Sequence, residues 1–336
     1  MIEVIFTLDY EIYGDGTGPL RELVYEPTAE LCKVFEKWGA RFVNFVEVSE
    51  FEQIDRAGTD SAIELVKSQV RDMHRAGYEI ALHMHPQWYN ARFSDGRWQL
   101  DYSEYNLCVL PQPRIAELVG RALAYLRHMV GLPDFVPLSF RAGNWLFQPT
   151  EAAARELSRR GVRIDSSVFK GGLQHSHKLD YRPAMKNGYY WQFSSDVNMP
   201  DSNGPWFELP IYSELVAPWK MATGKRMGMN SSYGPARNDL RKKVNRALDL
   251  LRFRYPLKFD FCRMTLPEMT SMLDRVVAED VDDPEAVRPI VAIGHSKDIS
   301  DYRSVDSILA FLRDKKISVS TFQRVFDRIL QPSLAR

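Results

Sequence analysis

The sequence predicts an α/β protein, an incomplete or distorted (β/α) barrel of about seven parallel strands, with an open doubly wound sheet as the second choice. Three observations predict it. Short apolar runs alternate with amphipathic ones over residues 2–86, a βαβαβ rhythm that calls for parallel strands joined by crossover helices. The residues with chemistry to offer stand where those runs stop, as they do at the C-terminal strand ends of parallel barrels. The chain has 336 residues, 45% of them hydrophobic and 26% charged, which suits a soluble globular protein with a sizeable core. We read 1–336 as a single domain.

Residues 2–9 (IEVIFTLD) form a buried strand, stopped by the polar, glycine-rich turn at 13–18. Residues 27–39 are a helix with Leu31, Val34 and Phe35 on one side and Gly39 at its end. The second strand is 41–48. A helix follows at 62–77, with Ile63, Val66, Val70 and Met73 on one face, and then the third strand at 78–86. The alternation continues with a helix at 115–130, a strand at 137–141, a helix at 150–161 and a short strand at 162–165. Residues 171–207 are loop-rich and aromatic, and Pro210 makes 208–211 a strand at an edge or an end. From 219 to 259 lysine and arginine outnumber acids, and we read this stretch as a basic insertion. Thr265-Leu266-Pro267-Glu268 is a capping box that opens the next helix. A buried strand at 289–294 ends on His295, a helix covers 305–315, the last strand is 317–319, and 320–323 cap the final helix.

Lysine plus arginine equals aspartate plus glutamate, so the charge gives no reason to expect a nucleic-acid partner. The three cysteines, Cys32, Cys108 and Cys262, are far apart and form no Cys-x-x-Cys pair, which argues against a thiolate zinc site and a disulfide framework. The N-terminus runs straight into a strand without the pattern of a leader, and no apolar run reaches the length of a membrane span. A cytoplasmic location is the expectation.

The third strand, Tyr78-Glu79-Ile80-Ala81-Leu82-His83-Met84-His85-Pro86, finishes in two histidines two residues apart. Side chains at i and i+2 of a strand point to the same face, so both imidazoles can reach one point. Asp9 and Glu11 have the same spacing at the end of the first strand. One carboxylate with two imidazoles, leaving positions open for water, is the donor set of a catalytic zinc site rather than a closed structural one. Cobalt, nickel or manganese would also suit it.

In their order, each at a strand end, these residues resemble the motifs of the polysaccharide deacetylase family. Its members have the NodB-homology fold, an incomplete barrel, and are metal-dependent hydrolases that remove acetyl groups from sugars. Thr7-Leu8-Asp9-Tyr10-Glu11 resembles the first motif, which implies Asp9 as catalytic base and Glu11 as metal ligand. The second motif has two metal histidines four apart. His83 matches the first, but the fourth position beyond it is Gln87, while His85 stands at two; strand geometry favours His85, with Gln87 as the substitute. Phe140-Arg141-Ala142-Gly143-Asn144-Trp145 is similar to the third motif, which implies Arg141 as partner of the base and Trp145 as an aromatic wall. Asp165-Ser166-Ser167 resembles the fourth, at the groove wall, although a plain turn would look the same. Val291-Ala292-Ile293-Gly294-His295 resembles the last, which implies His295 as general acid, with Lys297 and Asp298 as neighbours.

The resemblance implies deacetylation of an N-acetylated sugar, as a glycan, glycolipid or sugar nucleotide, with one divalent metal ion. The aromatic residues Trp88, Tyr89, Trp98, Trp191 and Trp206 could join Trp145 in stacking on sugar rings. The basic stretch would suit a phosphate-bearing or lipid-linked substrate, or peripheral contact with an anionic membrane. Two other readings stay open: a hydrolase of cyclic imides or ureides on the same barrel, and a carbohydrate-binding protein without activity.

Overall fold

A computed structural model describes residues 1–221 and 254–330. Its core is one nine-stranded sheet built around β1 (Ile2–Tyr10). β1 is flanked by β2 (Val43–Glu47), followed outward by β3 (Glu79–Met84), β4 (Ser139–Ala142) and β5 (Ile164–Asp165), all parallel. Two short strands, β6 (Trp191–Phe193) and β7 (Trp206–Glu208), complete that side, β7 parallel to β5 and β6 antiparallel to β7. A two-stranded ribbon lies outside the sheet, β8 (Ser213–Val216) with β9 (Tyr255–Lys258). On the other side of β1 lies β10 (Arg288–His295), and β11 (Ser318–Ser320) also pairs with β1.

The sheet curls, and Ile211 brings its two sides together through single bridges to Phe169 and to Val291 of β10. The expected distorted barrel is what forms. Pro210 allows no more than such a contact here, since proline has no N–H for a ladder. β1 carries Val4, Ile5, Phe6 and Leu8 with no exposed surface, so both faces are covered, as in a parallel sheet with helices outside. Phe6 meets Phe35 and Phe261 edge to face at 5.3 and 5.5 Å, and a fully buried ring of this kind contributes about 1.5–3 kcal/mol relative to exposure.

The predicted helices appear as α1 (Glu26–Lys37), α3 (Ile63–Arg75), α4 (Gln112–Val130), α5 (Glu151–Arg159), α6 (Leu266–Asp282), α7 (Tyr302–Asp314) and the short α8 (Phe322–Val325). The capping box holds: the Thr265 N–H donates to Glu268 Oε2 at 2.8 Å. One helix was not read from the sequence, α2 (Val48–Ala57), which starts directly after β2 with Glu47 as its N-cap. Without an intervening turn residue, its start has no local signal. Of the basic stretch 219–259, residues 222–253 lie outside the described residues. Its last residues are not separate from the barrel: β9 leads into Phe259, whose N–H bonds the carbonyl of Tyr212 and whose carbonyl accepts from Ile293.

Candidate metal centre and active site

The register of the parallel strands puts their polar ends in one place. Asp9 lies beside His295 and Phe45, and Glu47 beside His83, which lies beside Arg141. Just past these ends, Glu11 Oε2 stands 3.1 Å from His85 Nε2 and 3.4 Å from His83 Nε2. One donor atom from each of Glu11, His83 and His85 lies within 4.8 Å of the others, and all three residues are buried.

The residues present fit a divalent metal ion. His83 Nδ1 is 2.8 Å from the carbonyl of Arg141, so Nδ1 carries a proton and Nε2 is the nitrogen turned to Glu11, the one a metal would take. His85 Nδ1 lies 3.1 Å from the Gln87 amide and 3.2 Å from that of Asn144, while Gln87 Oε1 is buried with no hydrogen-bond partner. Turning the oxygen ends of the Gln87 and Asn144 amides toward this nitrogen would give a protonated Nδ1 its acceptors. The Nε2 lone pair of His85 would then be left for a metal. Gln87 therefore sits behind His85, and not at the convergence point. The backbone above His85 comes close enough to require glycine: a Cβ on Gly143 would meet Met84 O at 2.6 Å and the His85 ring at 2.8 Å.

The charges around this point are matched. Asp9 Oδ1 accepts from Arg141 Nη1 at 2.5 Å, and Arg141, wholly buried, also donates to Thr7 Oγ1, Ser166 Oγ and the carbonyl of Ser166. Burial pushes the Asp9 carboxyl up, but Arg141, with His83 and His295, outweighs it and holds it below the usual value. Glu11 is likewise held well below its usual value against burial, by Lys297, whose ammonium is 2.8 Å away, and by the two histidines. Burial lowers His83, yet Glu11 and Asp9 raise it to about 9, so the buried acids draw positive charge to this spot. His295 is lowered by burial against the pull of Asp9 and Asp298; its Nε2 is 3.5 Å from Asp9 Oδ2 and its Nδ1 3.8 Å from Asp298 Oδ2.

These groups open onto a cavity of about 370 Å³, in the range of small-molecule sites. Trp145 lines it, with its ring 6.4 Å from that of His295. Asn144 and Trp145 both have positive φ, 56° and 60°, an uncommon conformation for bulky side chains that costs on the order of 1–3 kcal/mol and collects at functional sites.

Three of the expected substrate-binding residues lie elsewhere. Asp165 and Ser166 have no exposed surface and do not line the cavity: Asp165 holds Ser167, and Ser166 supports Arg141 from below while its hydroxyl donates to the carbonyl of Leu209. The reason is the shortness of β5, which ends beneath the rim. Trp88 is 1% exposed and packs on Trp98 at 5.3 Å, away from the cavity, because the chain past His85 folds back as a 3-10 turn. Trp191 and Trp206 are buried in packing too, and the His177 ring lies tilted against Tyr105, 4.6 Å between centroids, outside the cavity.

Two residues that the sequence reading passed over belong to the site. Glu47, wholly buried, accepts the His85 N–H at 2.6 Å and a bond from Ser49, fixing the backbone that carries the histidine. Lys258, read only as part of a basic run, points into the cavity. The alternation Leu257, Lys258, Phe259, Asp260, Phe261 is the signal that marks a strand with a polar side.

No family model and no curated protein matches the sequence. Among solved structures, the chain is similar to a candidate polysaccharide deacetylase from Mycobacterium smegmatis (TM-score 0.54, 14% identity, covering 99% of this chain and 91% of that one). It is also similar to a GH57 branching enzyme from Thermococcus kodakaraensis (TM-score 0.53, 11% identity, 98% and 71% covered). A family 4 carbohydrate esterase from Streptomyces lividans aligns more loosely (TM-score 0.42, 10% identity, 95% and 92% covered). Two different carbohydrate chemistries thus occur on this architecture, and the fold alone does not choose between them. In fold, the chain is similar to a candidate polysaccharide deacetylase.

Proposed function

We propose that this protein is a metal-dependent hydrolase that removes the acetyl group from an N-acetylated sugar. The observation that carries the reading is the meeting, in one cavity, of the Glu11, His83 and His85 donor set with an Asp9 carboxylate locked to Arg141 and with His295. Glu11, His83 and His85 would hold the ion, zinc by its donor chemistry. When bound, the metal supplies a Lewis acid that polarises the acyl oxygen and lowers the pKa of a water toward about 7.

The rest falls to the chain's own residues. Arg141 keeps Asp9 ionised, so Asp9 can take the proton of the attacking water. The 3.5 Å between Asp9 Oδ2 and His295 Nε2 lets that proton pass to the imidazole. His295 then protonates the sugar nitrogen as the C–N bond breaks, and acetate and the free amine result. Trp145 offers a ring face to the sugar. The lysines and arginines of 219–259 support a phosphate-bearing or lipid-linked substrate.

The test combines metal analysis with acetate release from a panel of N-acetylated sugar nucleotides, glycolipids and oligosaccharides. Asp9→Asn should keep the metal and lose about 10²–10⁴ in rate. His295→Ala should slow N-acetyl sugars more than activated acetyl esters, whose leaving groups need little protonation. Turnover of cyclic imides with no acetate from any sugar would replace this reading.

A further inference from the structure

Lys258 ends β9 with its ammonium 3.3 Å from the centroid of the Trp145 ring and 4.9 Å from that of Phe169. It faces the cavity lined by Asp9, His83, His85 and His295. The other cations on this cavity are engaged. Lys297 donates to Glu11 Oε1 and to the carbonyl of Ile12, each at 2.8 Å, and Arg263 to Asp298 at 2.6 Å. Among the described residues no carboxylate comes within ion-pair distance of Lys258; Asp260, two residues on, faces Arg263 at 3.8 Å and caps the Cys262 N–H.

Ring faces answer part of an ammonium's charge but offer no hydrogen-bond acceptor for its three donors. Burial accordingly pushes Lys258 down to about 7, with Asp260 and Asp9 pulling up and Arg263 and Arg141 pushing down. Trp145 has positive φ, and its carbonyl accepts a 2.6 Å bond from the Tyr181 hydroxyl, which ties its backbone to the wall of the cavity. Lys258 thus faces the cavity with no hydrogen-bond acceptor and no paired carboxylate among the described residues.

We propose that the substrate carries an anionic group, carboxylate or phosphate, on the sugar that bears the acyl group, and that Lys258 is the counter-ion that seats it. The proposal rests on the deacetylase reading for the acyl group, but not for the anion. The experiment is calorimetric titration of the full chain with three probes: the methyl glycoside of N-acetylglucosamine, which is neutral, N-acetylglucosamine 1-phosphate, and the methyl glycoside of N-acetylglucosaminuronate. The wild type should bind an anionic probe about ten- to a hundredfold more tightly than the neutral one. Lys258→Met, or Lys258→Gln if the first does not fold, should bring that ratio to about one, and Lys258→Arg should restore most of it. The favoured anionic probe tells phosphate from carboxylate. Equal affinity for neutral and anionic probes in the wild type, or no binding of any, overturns the proposal; so does a preference that survives in Lys258→Met, because another group then holds the anion. Acetate release is scored apart: a Lys258-dependent preference without acetate from any probe removes the deacetylase reading and keeps the anion seat, whereas acetate from the neutral probe with equal binding does the reverse.

Discussion

On the side of the cavity built by β1 to β4, each acid has its partner in place before a substrate arrives: Asp9 on Arg141, Glu11 on Lys297 from beyond β10, Glu47 on the N–H of His85. On the side built by β9 and β10, His295 Nδ1 has no hydrogen-bond partner and Lys258 has no counter-ion among the described residues. Fixed charges aimed at a reacting point need no reorganisation during the reaction, and they require strong local partners to stay ionised when buried. Unmatched groups are the ones that a ligand can complete. The two sides should therefore respond differently to substitution, the first in metal binding and folding, the second in ligand choice.

The largest effect is expected at the convergence point. His83→Ala removes one of two imidazoles and should abolish both stoichiometric metal and activity, measured by elemental analysis of the purified protein. Full metal content in that variant would sink the ligand assignment. Next comes the support beneath it. Arg141→Met leaves the Asp9 carboxylate buried without a cation, and urea unfolding should show a loss of about 3–5 kcal/mol, as for a broken buried ion pair. A loss below about 1 kcal/mol, the size of an exposed pair, would mean that the first side is not prepaid by this contact.

A smaller effect is expected behind His85. Gln87→Leu keeps the bulk but removes one of the two amides at Nδ1, and zinc affinity measured against a competing chelator should fall by about tenfold or more. If Gln87 were itself a ligand, the metal would be lost outright, so the outcome separates the two places for this residue. The smallest effect concerns an acid with no cation among the described residues. Glu79 begins β3, half-buried, with the Gln323 N–H at 2.8 Å and the Ser139 hydroxyl at 3.3 Å, and burial pushes it up to about 7. Its folded value lies above the ordinary 4.5, so the native state holds a proton that the unfolded chain has lost, and stability falls as pH rises from about 4.5 to 7. Glu79→Gln should remove that slope, on the order of 1 kcal/mol, in unfolding curves taken between pH 5 and 8. An unchanged slope would assign the pH dependence to other groups and remove Glu79 as the contrast to Asp9.

The sequence by itself determined the alternation of strands and helices and the identity of the groups at the rim. Period-two and period-3.6 patterns are local, so β1, β3, α3 and the α6 capping box are legible from a few residues each. The i, i+2 spacing of His83 and His85, and of Asp9 and Glu11, follows from strand geometry in the same way. Tertiary structure decided what those groups meet. Asp165, Ser166 and Trp88 read as rim residues, yet they lie beneath or beside the rim, because strand length and the turn after His85 depend on packing that no local pattern encodes. The sequence shows two amide or imidazole candidates after His83; only the fold shows that Gln87 stands behind His85. Lys258 is separated from Trp145 by more than a hundred residues, and its ammonium meets that ring because β9 pairs with β8 and leads into Phe259 against β10. Contacts of that kind are made by the closing of the barrel, and a linear chain carries no spacing that announces them.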